Sequence, residues 1–299
     1  MKPLRLLAAS LSCALGIAAV MLVPAHAATT ATGYQEYVAL GDSYTSSTGF
    51  SMVPDETYVP LGCAQSVSDY PHQVAALLKV PTFRDASCGG ATTSNFAGPQ
   101  ATQDGTNAPQ FDRISPTTDL VTIGIGGNDI GLVGLAQECL QSTVTSCKVS
   151  HVKNGVDDVS AKIAATRPKI EAAITGARAR ANKKTRIILV NYLEAMPDNE
   201  QGCYPLVPVT PTDAQWFTQK YKEMNAMLAR AAAATKAEVA DTYIPTIGHN
   251  ACTPPNVRYV EAAGVISLNP LVNIAAPLHP NQAGANAQSQ LVFAHIARG

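Results

Sequence analysis

Five short apolar runs separated by helical patterns constrain the fold of this 299-residue chain more than any other feature. Several of the runs are almost continuously apolar rather than alternating, which is typical of strands covered on both faces. Together with the helices between them, they predict an α/β fold in which helices cover a mostly parallel five-stranded sheet. The predicted strands are Tyr37–Leu40, Thr82–Ala86, Leu120–Ile125, Arg186–Val190 and Glu238–Asp241.

Helical spacing marks several of the segments between these runs. Apolar residues recur at helical spacing over 159–174, and we expect Pro168 to kink or split that helix. Thr212 and Gln215 have the form of a capping box at the start of another helix. A last helix is expected over about Gln282–Arg298.

The first 27 residues read as a secretory signal peptide. Lys2 and Arg5 precede a long apolar stretch that closes on Ala25-His26-Ala27, a small-x-small cleavage site. We expect cleavage after Ala27 and a secreted product. No linker, composition shift or internal repeat interrupts residues 28–299, so we expect them to form one domain.

The charge balance excludes some classes of partner. The chain has 21 Lys and Arg against 22 Asp and Glu, and no basic stripe stands out, so we expect no nucleic acid partner. After the leader, no apolar run reaches the roughly 20 residues that a membrane-spanning helix needs. We expect a monomer.

Six cysteines follow the leader, and an even count in an exported chain indicates disulfides. Six cysteines allow fifteen pairings, and the sequence alone does not choose among them. The wide gaps disfavour zinc, because no Cys-x2-Cys or close histidine pair supplies ligands at short range; we expect no metal and no cofactor. The nearest-neighbour pairs that we favour are Cys63 with Cys88, Cys139 with Cys147, and Cys203 with Cys252.

Ligands of open α/β sheets bind beyond the carboxyl ends of the strands, so the residues just after each strand are of special interest. Three strands are followed by Gly41-Asp42-Ser43, by Ser87–Thr92 and by Gly126–Asp129, and Leu278–Asn281 precedes the last helix. Each segment alone is more often an ordinary turn or loop. Together they provide what acyl transfer needs.

Acyl transfer needs a nucleophile, a base and donors for the developing oxyanion. Ser43 is a candidate nucleophile, and His279 is a candidate base whose proton affinity lies near neutral pH. The backbone N–H groups of Ser43 and Gly90 and the side-chain amide of Asn128 are candidate oxyanion donors.

The same four blocks, GDSYTSSTG, SCGGATTS, GIGGNDIG and LHPNQAG, resemble those of the SGNH or GDSL hydrolase family. The resemblance implies Ser43 as nucleophile, His279 as general base, and Ser43, Gly90 and Asn128 as the oxyanion hole. It also implies a flavodoxin-like three-layer sandwich and a single catalytic domain over residues 28–299. The cysteine spacing is similar to that of secreted actinobacterial lipases and esterases of the family, whose three sequential disulfides support the pairing above. The α/β-hydrolase fold fits less well, because Gly41-x-Ser43-x-Thr45 lacks the second glycine of its nucleophile elbow.

The sequence departs from the family pattern at one position. Many relatives have an aspartate three residues before the histidine, where this chain has Ala276. An imidazole base still needs an acceptor on Nδ1 to fix its tautomer. We expect a Ser-His dyad in which a main-chain carbonyl near Ala276 or Pro277 orients His279, the alternative being a carboxylate from Asp198 or Asp241.

The resemblance implies hydrolysis of carboxylic esters, with a fatty-acyl or lipid ester as the expected substrate and transient contact with lipid aggregates. A lipase, an esterase and a phospholipase all remain open. The alternatives are a carbohydrate acetylesterase and a catalytically silent binding protein. Two apolar loops, Phe50–Pro54 and Tyr204–Val209, line an acyl pocket or simply pack against the core.

Overall fold

A central sheet and its helices were identified in a computed structural model, which describes residues 33–46, 53–141, 145–199, 202–262 and 275–299. The predicted signal peptide lies outside the described residues. The strands are β1 (Glu36–Gly41), β2 (Thr82–Asp85), β3 (Gln100–Thr102), β4 (Gly105–Asn107), β5 (Leu120–Gly124), β6 (Val152–Lys153), β7 (Val156–Asp157), β8 (Arg186–Val190) and β9 (Glu238–Ala240).

Five of the strands form one parallel sheet in the order β2-β1-β5-β8-β9. Counted along the chain within this sheet, the order is second, first, third, fourth, fifth, which is the flavodoxin-like arrangement. The predicted fold class is confirmed, and each predicted strand boundary lies within one residue of the observed one. Pairs β3-β4 and β6-β7 are separate small antiparallel ribbons.

Helices cover both faces of the sheet. They are α1 (Ser43–Ser46), α2 (Tyr70–Leu78), α3 (Gly127–Ile130), α4 (Leu132–Gln141), α5 (Lys148–His151), α6 (Asp158–Arg180), α7 (Pro211–Thr235) and α8 (Gln282–Arg298). Single 3₁₀ turns occupy Leu61–Cys63, Thr93–Phe96, Gln110–Arg113 and Ile244–Thr246.

Alternate residues of β1 show how the layers are built. Val38 and Leu40 belong to the core beneath α6 and α7, whereas Tyr37 and Ala39 belong to the core beneath α2 and α8. All four are fully buried. The strand is therefore apolar on both faces because each face meets a helical layer.

The structure corrects the expectation that Pro168 splits its helix. Helix α6 continues through Pro168 for 23 residues. Proline removes one intrahelical hydrogen bond and crowds the preceding turn, but Ile163, Ile170 and Ile174 are buried on either side of it. Burial of this apolar stripe against the core outweighs the local cost.

The start of α7 also differs from the prediction. The helix begins at Pro211, and its N-cap is Thr210, whose hydroxyl accepts from the backbone N–H of Asp213. Proline suits the first helical position because its missing N–H has no partner there in any helix. This places the cap two residues before Thr212, so the predicted Thr212–Gln215 capping box is wrong.

Three disulfides join the same cysteines as in the nearest-neighbour pairing: Cys63–Cys88, Cys139–Cys147 and Cys203–Cys252. The first of them holds the Ser87–Thr92 segment, where Gly89 also donates its N–H to Cys63 O at 2.8 Å. Among the helices of the described residues, none combines the length and the apolar character needed to cross a bilayer.

Candidate active site

Ser43 stands at the carboxyl edge of the sheet because β1 ends at Gly41 and α1 begins only two residues later. A Cβ atom on Gly41 would lie 2.1 Å from Thr45 Oγ1 and 2.7 Å from Gly124 O. Only glycine permits this close approach of the helix to the strand end. The Gln110 side chain then pairs with both the N–H and the C=O of Gly41, at 2.8 and 2.9 Å.

His279 reaches Ser43 from the loop before α8. Its Nε2 lies 2.8 Å from Ser43 Oγ, and its Nδ1 lies 2.9 Å from Pro277 O. A carbonyl oxygen only accepts, so Nδ1 carries the proton and Nε2 is free to accept from the serine hydroxyl. This is the tautomer that a general base requires.

Four carboxylates of the described residues are candidates for a contact with His279, and each of them has another partner. Asp241 accepts from the Asn191 side chain at 2.8 Å, and Asp198 pairs with Lys222. Asp42 accepts from the N–H of Tyr44 at 3.0 Å. Asp129 accepts from the N–H and the hydroxyl of Thr93, at 2.9 and 2.6 Å. The carbonyl of Pro277 is therefore the acceptor that Nδ1 contacts.

The predicted oxyanion donors lie on the neighbouring strand ends. Asn128, in α3 after β5, borders the same cavity as Ser43 and His279. Its Nδ2 donates to Ala91 O at 2.9 Å, which leaves the second N–H of the amide for a substrate oxygen. Gly90 follows β2, is exposed and adopts a φ of +77°. Gly90 is not among the described residues that line this cavity.

The His279 loop is held by a buried polar cluster behind it. Glu261 donates its N–H to His279 O at 2.9 Å and accepts from Leu278 N at 3.0 Å. Its carboxylate pairs with the buried guanidinium of Arg258 at 2.8 Å. Asn281 caps α8 and donates to the Arg258 carbonyl and to Glu261 Oε1, at 2.9 and 3.0 Å. The LHPNQAG block therefore contains His279 and also residues that hold its loop in place.

An apolar cavity of about 290 Å³ opens beside Ser43. Its walls come from α4, from α7 and from the His279 loop, and the apolar lining includes Leu132, Ala136, Leu140, Phe217 and Leu278. Of the two loops proposed as acyl-pocket walls, residues 50–52 lie outside the described residues. Val207 and Val209, from the other loop, line a small adjoining apolar cavity rather than this one.

Burial lowers the pKa of His279 below its usual 6.5, and the bond from Nδ1 to Pro277 O raises it in part. The base works only when it is neutral, so a lower pKa extends activity towards acid. We expect the acidic limb of kcat/KM for ester hydrolysis to have its midpoint below pH 6.5, measured by pH-stat titration. Ala276→Asp is expected to move that midpoint upwards, because a nearby carboxylate favours the imidazolium. A wild-type midpoint at or above pH 7 contradicts the prediction.

One group in the described residues has the composition of a metal site: Asp69, His72 and Asp85, with possible ligand atoms within 4.8 Å of one another. His72 contacts carboxylates through both ring nitrogens, with Nδ1 2.7 Å from Asp69 Oδ1 and Nε2 2.9 Å from Asp55 Oδ2. Asp69 and Asp85 are fully buried, and Oδ2 of each lacks a hydrogen-bond partner. The two carboxyl groups interact through their side chains, and we expect one proton held between them to satisfy both oxygens without a metal.

The shared proton predicts an unusual effect of Asp69→Asn. Burial raises the pKa of Asp69 and of Asp85 well above the usual value. Since the folded protein then holds more protons than the unfolded chain, stability falls as pH rises from about 4 through the raised pKa values. In the variant, the new side-chain amide donates to Asp85 at every pH, and its carbonyl oxygen still accepts from the His72 N–H. We expect the free energy of unfolding in urea to rise by about 1 kcal/mol at pH 8 and much less at pH 5.

A bound metal would give the opposite result. Asp69→Asn would then destabilise the protein at pH 8, and EDTA would lower the stability of the wild type but not that of the variant. Asp104→Asn, at an exposed turn, is the matched control for loss of one negative charge.

Several residues around the site were not identified from the sequence. The hydroxyls of Tyr44, Tyr192 and Tyr221 lie buried beside Ser43, and Tyr44 follows it directly in the chain. The apolar stripe of α4 has helical spacing, but such a stripe normally indicates core packing. The one sequence signal that places α4 near the candidate site is its position directly after the GIGGNDIG block.

Comparisons with known proteins show the family and the fold of the chain. A family model described as "GDSL-like Lipase/Acylhydrolase family" matches residues 39–287. The chain is 31% identical to Lipase 2 of Streptomyces coelicolor over 277 residues, covering 89% of this chain and 88% of that protein. Two solved structures share the fold. Phospholipase A1 from Streptomyces albidoflavus superimposes with a TM-score of 0.67 at 21% identity, over 88% of this chain and 99% of that one. An extracellular lipase from Streptomyces rimosus gives 0.64 at 22% identity, with the same coverage.

Proposed function

The chain belongs to the GDSL-like lipase/acylhydrolase family and is a carboxylic ester hydrolase; we propose that it is a secreted lipase or esterase that uses a Ser43–His279 dyad. The observation that carries this proposal is the 2.8 Å contact between Ser43 Oγ and the unprotonated Nε2 of His279 at the edge of an apolar cavity. The three disulfides and the leader-like first 27 residues support secretion.

The dyad accounts for both halves of the reaction. Ser43 Oγ attacks the ester carbonyl while His279 Nε2 takes its proton, and the negative charge on the carbonyl oxygen is met by N–H donors from Ser43, Gly90 and Asn128. His279 then gives the proton to the departing alcohol, which leaves an acyl ester on Ser43. A water molecule, deprotonated by the same nitrogen, then attacks the acyl carbonyl. The bond to Ser43 Oγ breaks, His279 returns the proton to Oγ, and the acid is released. The carbonyl of Pro277 holds the imidazole in one tautomer throughout.

The cavity favours a fatty-acyl substrate over an acetyl ester. Its walls are mainly aliphatic and aromatic side chains, and burying each additional methylene there stabilises the bound ester by roughly 0.8 kcal/mol. An acetyl group would leave most of the 290 Å³ empty. A carbohydrate acetylesterase has no need of such a cavity.

The test is hydrolysis of p-nitrophenyl acetate, octanoate and palmitate by the oxidised protein, with labelling by a p-nitrophenyl alkylphosphonate followed by peptide mapping. We expect kcat/KM for octanoate to exceed that for acetate at least tenfold, and the label to lie on Ser43. Preference for acetate favours a deacetylase. Failure of both hydrolysis and labelling favours a silent binding protein, and a label on another serine refutes the dyad.

A further inference from the structure

The two residues that flank Ser43 are each connected, through a tyrosine hydroxyl, to another segment of the site. Tyr44 donates from its hydroxyl to the carbonyl of Leu278, the residue before His279. Asp42 accepts from the Tyr192 hydroxyl, which in turn accepts from the N–H of Gly127 at 2.8 Å, the residue before Asn128. One tether therefore ends beside the base, and the other ends beside an oxyanion donor.

Both tethers are shielded from water. Tyr44 is 8% exposed and Tyr192 is 3% exposed, and their rings lie 4.8 Å apart. The Tyr44 ring also lies 5.4 Å from the His279 ring. Hydrogen bonds in such surroundings meet little competition from solvent and restrict the groups they join more than exposed ones do.

The main chain at Leu278 adopts an unfavourable conformation that neighbouring contacts must hold in place. Leu278 has a φ of +58°, which a leucine rarely adopts. Its N–H is held by Glu261 O and its carbonyl by Tyr44. Among the described residues no carboxylate contacts His279, so its placement depends on the main chain of residues 277–279. Tyr44 is the residue that ties this main chain to the nucleophile's own segment.

We propose that Tyr44 and Tyr192 are positioning residues, of which Tyr44 sets His279 against Ser43 and Tyr192 sets Asn128 against Ser43. The inference rests on the proposed function. The two tyrosines are expected to affect different parts of the reaction. Loss of the Tyr44 hydroxyl impairs proton transfer, whereas loss of the Tyr192 hydroxyl impairs stabilisation of the oxyanion.

Tyr44→Phe and Tyr192→Phe each remove one hydroxyl and keep the packed ring. We expect kcat to fall about tenfold in both, with KM within a factor of two of the wild type, because small misplacements of reacting groups raise the barrier without weakening ground-state binding. The acidic limb of kcat/KM should shift in Tyr44→Phe and stay in place in Tyr192→Phe. The matched control is Tyr37→Phe, which removes a buried hydroxyl bonded to Thr122 at 2.7 Å in the opposite core.

The inference is overturned if the site variants only lose thermal stability, as Tyr37→Phe is expected to, while kcat of the folded protein stays within twofold of the wild type. The inference is also overturned if Tyr44→Phe and Tyr192→Phe shift the acidic limb of kcat/KM by the same amount.

A readout that needs no turnover keeps the two proposals separable. In NMR spectra, exchange of the His279 Nδ1 proton should speed up in Tyr44→Phe only, and exchange of the Asn128 side-chain amide should speed up in Tyr192→Phe only. If the wild type neither hydrolyses esters nor reacts with the phosphonate, the proposed function fails, and these exchange rates alone decide on the tethers. Unchanged rates refute them.

Discussion

Replacing Ser43 by alanine is expected to lower kcat/KM for p-nitrophenyl octanoate by roughly 10⁴-fold to 10⁶-fold. His279→Ala should have a comparable effect, because the Ser43 hydroxyl is a poor nucleophile until a base takes its proton. The double variant should be no worse than either single one, since two groups that act in one proton transfer are lost together. The residual rate reports binding and the oxyanion donors alone.

Stability separates this loss from misfolding. Ser43 and His279 lie at the cavity edge, so both variants should unfold in urea near the wild-type midpoint. Ser289→Ala is the matched control, because it removes a fully buried hydroxyl in α8 that contacts Gln73 at 2.9 Å. We expect it to lower stability and to retain activity. Losses from Ser43→Ala and His279→Ala that multiply in the double variant would show that the two side chains act independently.

Replacing Arg258 by methionine is expected to lower the free energy of unfolding by about 3–5 kcal/mol. The side chains of Arg258 and Glu261 are only 2% and 8% exposed, and their charged atoms lie 2.8 Å apart. Removing the guanidinium leaves a carboxylate buried without its counter-charge, which costs more than the pair itself contributes. Because Glu261 also bonds the main chain of Leu278 and His279, activity should fall at temperatures where the fold persists.

Two further variants test this explanation. In Arg258→Met with Glu261→Met no charge is left buried, so much of the lost stability should return, as measured by urea denaturation. Arg167→Met breaks a partly exposed pair with Glu171, four residues later in the same helix, and it should cost about 0.5 kcal/mol or less. Equal costs for Arg258→Met and Arg167→Met would contradict a role for burial.

The strands, and the segments whose residues meet at the candidate site, could be predicted from the sequence because each has a local signal. Buried parallel strands are continuously apolar, and Ser43, Asn128 and His279 occupy glycine-rich or proline-bearing segments directly after strands or before a helix. The carboxyl ends of parallel strands meet at one edge, so residues 236 positions apart, Ser43 and His279, come within hydrogen-bond distance.

The rest depends on contacts between distant segments, for which the sequence has no local signal. Nothing near Tyr192 shows that its hydroxyl meets Asp42, which lies 150 residues earlier. The α4 stripe could be recognised as apolar, but not as facing a cavity rather than the core. His72 lies in α2 among three aspartates that are dispersed along the chain, a grouping for which the sequence has no local signal.

The acceptor on His279 Nδ1 is a main-chain oxygen, and this affects how the site tolerates substitution. Every amino acid at position 277 has a carbonyl group, so no single replacement there can delete the acceptor in the way that Asp→Ala deletes it from a triad. This part of the machinery is specified by the path of the loop and not by the identity of a side chain. The side chain at 277 can therefore be varied as long as the path of the loop is kept. An insertion or deletion between 276 and 279, by contrast, would remove the acceptor while Ser43 and His279 themselves stay unchanged.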